Sequence, residues 1–170
     1  MQHHFGMMAG YNAWCNDRLY EAAAAISDEN YRADQGAFFK SVHGTLNHIL
    51  VADRIWLNRF TGDGPSPSSL DEILFEEFDA LRSARRAEDT RIVRFVDGLS
   101  DQALADNFHY RPMTDPSRQV SQPLAPALIH FFNHQTHHRG QVHALLTRTV
   151  GTAPSLDLIY YQRETGIGLA

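Results

Sequence analysis

The sequence has a single cysteine, Cys15, so no internal disulfide can form. It lies beside Trp14 in a helical stretch and reads as a small buried hydrophobe, with no nearby base to make it a catalytic thiol. Long apolar runs are missing too. The longest unbroken one is Ala22 to Ile26, too short for a membrane span, and no basic segment followed by an apolar run marks a signal peptide. A cytoplasmic protein without a membrane partner is expected. No charge of one sign dominates: 15 Lys and Arg face 20 Asp and Glu, for a formal net charge of −5. The basic residues are scattered, which leaves no electrostatic footprint for nucleic acid. Arg82, Arg85 and Arg86 cluster, but Glu76, Glu77, Asp79, Glu88 and Asp89 surround them, so they read as a solvated helix face.

What is present suits one folded domain spanning residues 1–170. Hydrophobic residues make up 43% and charged residues 21%, which excludes disordered and collagen-like classes. Four segments read as long helices. The first runs from Phe5 to Ile26 and is broken by Ser27, Asp28 and Asn30. The second runs from Ser41 to Phe60, where Gly62, Gly64, Pro65 and Pro67 stop it. For the third, Ser69-Leu70-Asp71-Glu72 fits a capping box, predicting a helix from Ser69 towards Gly98. An irregular stretch follows, in which Phe108–Arg111 and Arg118–Val120 can pair as a small hairpin around Asp115-Pro116. The fourth helix begins between Pro123 and Pro126 and stops at Gly151. A short last helix, Leu156 to Arg163, is expected to pack Ile159 and Tyr160 inward. The expected fold class is an all-α four-helix bundle.

Histidines carry the chemistry. Of ten, His130, His134, His137, His138 and His143 fall within the fourth helix. His134 and His138 are four residues apart, which stacks their rings on one helix face within reach of a common metal ion. A third ligand must come from elsewhere, and His48, in the apolar stretch of the second helix, is the best candidate. Three neutral imidazoles leave a divalent ion its full charge and an open position. His130 lies one turn before His134 and is a reserve ligand or a partner to one. His137 neighbours the stripe, and His143 faces away. His43 reads as a helix-start residue, His109 as a loop residue, and His3 and His4 as polar residues near a frayed end. The sequence has no Glu-x-x-His, no His-Glu-x-x-His and no His-Asp pair, which argues against di-iron carboxylate, zinc-protease and helical phosphohydrolase sites.

Three stretches then point to a family. They are Tyr11-Asn12-Ala13-Trp14 with Asn16 and Leu19, Ser41 to Ile49 continuing to Asp53-Arg54-Ile55-Trp56-Leu57, and Asn133-His134-Gln135-Thr136-His137-His138-Arg139-Gly140-Gln141. Together they resemble the DinB/YfiT-like family of helical-bundle proteins over nearly the whole chain. The resemblance implies up-down-down-up topology, with Thr61 to Ser68 crossing the length of the bundle, and a homodimer. It also implies metal ligation by one histidine of the second helix and two of the last. Carried over, those are His48, His134 and His138.

Gly140 reads as room for a close helix approach. Asp53, Asn133 and Gln141 are candidates to orient the ligand rings, and Trp14 and Trp56 read as core. Three imidazoles suit zinc, nickel, copper or iron, with zinc expected first and nickel next, and the ion would activate a low-molecular-weight thiol or water. The resemblance implies a metal-dependent enzyme with a small-molecule substrate, using a thiol such as bacillithiol or mycothiol for S-transfer. The alternatives are a metal-dependent hydrolase and a non-catalytic metal-binding stress-response bundle.

Overall fold

The computed structural model describes residues 1–169. Its helices are α1 (Gln2–Ala24), α2 (Asp28–Arg32), α3 (Val42–Thr61), α4 (Phe78–Asp97), α5 (Asp101–Ala105), α6 (Leu124–Val150) and α7 (Leu158–Thr165). A two-stranded antiparallel hairpin, β1 (Asn107–Tyr110) and β2 (Val120–Pro123), precedes α6, with Tyr110 opposite Val120. No described helix is long and apolar enough to cross a membrane.

Side-chain pairs fix the directions of the four long helices. Tyr20 meets Phe78 and Asn12 meets Asp89, so α1 and α4 are antiparallel. Arg85 meets Asp53 and Phe95 meets Phe60, so α3 and α4 run parallel. Phe5 meets Phe132 and Asn12 meets Arg139, which makes α1 and α6 parallel. His48 meets His138 and Phe60 meets Phe131, which makes α3 and α6 antiparallel. The order is up-down-down-up.

The core has a small apolar cluster under α7, around Tyr11, Cys15 and Tyr161, and two larger apolar regions between the long helices. Leu19, Leu46, Leu50, Leu81, Val142 and Leu146 pack one half, and Phe5, Leu57, Ile92, Val96, Leu128 and Phe131 pack the other. A polar layer divides them, to which each long helix contributes: Asn12 and Asn16 from α1, Asp53 from α3, Arg85 and Asp89 from α4, and Gln135 and Arg139 from α6. Arg85 sits 2.5 Å from Asp53 and 2.9 Å from Asp89, and is only 1% exposed. It is therefore a core residue, correcting its reading as part of a solvated face; Arg86, reaching Asp17, fits that reading. Asp53 also accepts from Gln135 at 3.0 Å, and Asn16 donates to Asp89. Burial pushes Asp53 up to about 6, although the Arg85 guanidinium pulls the other way.

Two further expectations are corrected. The third long helix starts at Phe78 rather than Ser69, because residues 70–77 follow a turn and an irregular path packed against the start of α3. Asn47 holds Phe75 there from both sides, accepting from its N–H at 3.0 Å and donating to its carbonyl at 3.2 Å, and His43 reaches the same carbonyl. Glu72 accepts from the backbone and hydroxyl of Ser68, closing a turn instead of capping a helix. The crossing between the parallel helices is thus residues 62–77, longer than Thr61 to Ser68. In α7, Tyr161 is 5% exposed while Ile159 and Tyr160 are 40% and 46% exposed. The inward residue is one position later, where Tyr161 packs on Tyr11 and Trp14 and its hydroxyl fills the space beside Gly10.

Candidate metal centre

Ser41 caps α3, its hydroxyl accepting from the Gly44 N–H at 3.0 Å. From that start, the helical repeat turns His48 towards α6 at the level of the polar layer. On α6, His134 and His138 meet it. Ring centroids lie 4.4 Å apart for His48–His138, 5.3 Å for His48–His134 and 4.3 Å for His134–His138. One nitrogen from each ring lies within 4.8 Å of the others, so the three can hold a metal ion.

The tautomers point the same way. The Leu70 carbonyl lies 2.7 Å from His48 Nδ1, and a carbonyl only accepts, so that nitrogen carries the proton. His138 Nδ1 likewise faces the Gln141 side-chain oxygen at 2.8 Å. Both Nε2 atoms are then left with lone pairs, and these face each other at 3.3 Å. Two lone pairs at that distance repel unless a cation lies between them. Two nitrogens each ~2.05 Å from a tetrahedral ion are ~3.3 Å apart. The pair is spaced as an edge of such a coordination shell.

Burial keeps the rings neutral. It lowers His48 to about 4 against the pull of the Leu70 carbonyl, with a smaller push from His138. His134 falls to about 3, first by burial and then through the neighbouring histidines, and His138 is lowered by burial. Neutral imidazole is the form that binds a metal.

Phe39 closes one side of the cluster. Its ring stacks on His48 at 3.7 Å between centroids, 16° from parallel. Gly44 permits this, since a Cβ there would overlap the Phe39 carbonyl. On the other side a cleft of about 250 Å³ opens onto His134, walled by Ile55, Trp56, Arg59, Leu70, Tyr110 and Met113 among others. Trp56 therefore faces a cavity as well as the core. His130 stands in the same cleft, its ring 5.1 Å from Trp56 and 5.9 Å from His134, outside the three-ring cluster. His137 is exposed and pairs with Gln141. His143 faces a separate cavity on the far side of α6. His109 is an exposed strand residue in β1, and His43 sits buried at the start of α3.

Of the three residues expected to orient the rings, Gln141 does so. Asp53 is committed to Arg85 and Gln135, and Asn133 is exposed. Gly140 has no atom near its missing Cβ, so no helix of this chain approaches it closely. Phe39 and the Leu70 carbonyl went unread in the sequence. A backbone acceptor leaves no residue-type signal, and Phe39 belongs to a loop without periodicity.

The sequence model of the DinB family matches residues 1–167. The chain belongs to the DinB family. Protein DinB of Bacillus subtilis (strain 168) is 23% identical to it over 150 residues, covering 80% of each chain.

Proposed function

We propose that this DinB-family chain is a metal-dependent enzyme that holds one divalent ion between His48, His134 and His138 and uses it for S-transfer with a low-molecular-weight thiol. The observation that carries the reading is the cleft that opens onto His134. A site meant only to store or brace an ion has no need of such an approach. Three neutral imidazoles suit zinc first and nickel next. An ion held there supplies the acidity that ionises a thiol or a water near neutral pH.

The chain's own groups do the rest. The Leu70 carbonyl and Gln141 hold the Nδ1 protons and so aim the Nε2 lone pairs inward. Phe39 keeps water from one side of His48, and Ile55, Trp56 and Met113 give the cleft apolar walls. Homodimer formation belongs to the same proposal. Exposed apolar side chains on α6, Ile129 and Val150, offer surface for it, and sedimentation would test it.

The deciding experiment is metal analysis of the purified protein, followed by thiol-transfer assays, with hydrolysis assays alongside, on wild type and on His134→Ala. The variant is expected to lose its metal and its activity while circular dichroism shows an intact bundle. Full metal occupancy in His134→Ala would refute the ligand assignment.

A further inference from the structure

Ala52, Ile55 and Arg59 follow His48 on α3 at four, seven and eleven residues, and so continue its helical face. The cleft follows that face from His134 to Arg59. Arg59 is half-buried there between two rings, its guanidinium carbon 4.7 Å from the centroid of Trp56 and 4.9 Å from that of Tyr110. Six of the thirteen other arginines form ion pairs: Arg18, Arg32, Arg54, Arg85, Arg86 and Arg91. Among the described residues, Arg59 pairs with no carboxylate, and its one protein hydrogen bond runs to the Arg111 carbonyl at 3.3 Å. A guanidinium has five N–H donors, so most remain free to meet something in the cleft.

We infer that the cleft binds a small organic acid, with its carboxylate on Arg59, its apolar stem along Ile55, Trp56 and Met113, and its reacting end at His134. The parallel N–H groups of a planar guanidinium match the two oxygens of a carboxylate. Trp56 and Tyr110 hold that plane in place before the acid arrives. The antiparallel register that sets His48 against His138 and Trp56 against His130 puts His134 level with Ala52. Arg59 lies seven residues further along, ~10 Å at the helical rise. The chain of a six-carbon acid contributes ~6.5 Å of that length at ~1.3 Å per carbon–carbon bond, and the ~2.9 Å hydrogen bond from its carboxylate to Arg59 supplies most of the remainder. The inference names the substrate class for the metal-dependent reading and rests on it for chemistry, although recognition of the carboxylate requires no ion.

The test compares hexanoate with hexan-1-ol on metal-free protein by titration calorimetry, with the Arg59 Nε–H followed by NMR. Hexanoate is expected to bind about tenfold tighter or better, equivalent to ~1.4 kcal/mol, and to shift the Arg59 resonance. Arg59→Met should abolish the difference, and Arg59→Lys, which keeps the charge but loses the fork, should keep part of it. Circular dichroism checks that both variants fold. Equal binding of acid and alcohol, or an unchanged preference in Arg59→Met, overturns the inference.

A second arm uses cobalt-loaded protein to ask which reactant carries the carboxylate. If the thiol carries it, the sulfur-to-cobalt absorption band should form at lower concentration with 6-mercaptohexanoate than with 6-mercaptohexanol. If the other substrate carries it, hexanoate should bind without displacing 2-mercaptoethanol from the cobalt. Both results support recognition at Arg59, and the absence of both acid preference and joint binding would count against it. Failure to bind cobalt with the Arg59-dependent preference intact would sink the metal reading alone, and cobalt binding without that preference would sink this inference alone.

Discussion

His48 has a task for each face of its ring. Nδ1 is fixed by the Leu70 carbonyl, Nε2 faces His138, and the ring plane lies against Phe39. Such a residue is costly to protonate, which gives the site a pH signature. An unfolded histidine titrates near 6.5, whereas His48 and His134 in the fold are lowered to about 4 and about 3. Below about 6.5 the unfolded chain takes up protons that the folded rings refuse. The histidines' contribution to the stability of the metal-free protein should therefore be full above that pH and fall as pH drops from about 6.5 towards 4, outweighing the opposite contribution of Asp53, which is raised to about 6. Urea titrations across this range check it, and His134→Ala should show a shallower fall. Gln141 uses its oxygen on His138 Nδ1 and its nitrogen on the exposed His137. Gln141→Leu should weaken metal binding by about 10–100-fold, the usual cost of losing such a partner, with helicity unchanged. Competition with a chromophoric chelator would measure it.

At the scale of elements, residues 70–77 are the part of the chain whose behaviour differs most from its local signals. Ser69 to Glu72 spell a helix start, and the acidic residues that follow reinforce it. What wins is tertiary: Asn47 satisfies both backbone groups of Phe75, and the non-helical path it holds delivers the Leu70 carbonyl to His48. Asn47→Leu should leave the Phe75 N–H without a partner, while His43 still reaches the carbonyl, and cost about 1–3 kcal/mol, read as a lower urea midpoint. The remaining elements were legible because their signals are local. Ser41 caps α3, and Gly151 closes α6 in a left-handed conformation, with φ of 79°. The four-residue spacing of His134 and His138 announced one side of the site. The partners that arrive from elsewhere, Phe39 and Leu70, were illegible because only the folded path brings them near. Arg85 was misread for a related reason, since its acidic neighbours in sequence gave no hint of Asp53 across the bundle.

For the whole molecule, the polar layer does what apolar packing alone does poorly. Leucines and phenylalanines tolerate several helix orders and registers, whereas Arg85 between Asp53 and Asp89, with Asn12, Asn16, Gln135 and Arg139 around them, accepts few. Arg85→Met would leave two buried carboxylates without their cation and should cost about 3–5 kcal/mol, seen as a loss of unfolding free energy in urea. The same layer sets the height at which α3 and α6 present their histidines, so metal affinity should drop in whatever fraction of that variant stays folded. Phe39 adds a consequence for the chemistry of the assembly. With one side of the histidine cluster sealed by the chain and the other reached past Trp56 and His134, an incoming molecule has a single direction of arrival. Were the proposed transfer to a flat acceptor to take place there, an acceptor also anchored at Arg59 and confined beside Trp56 would offer one face in every turnover, and chiral chromatography should find the product as one mirror image.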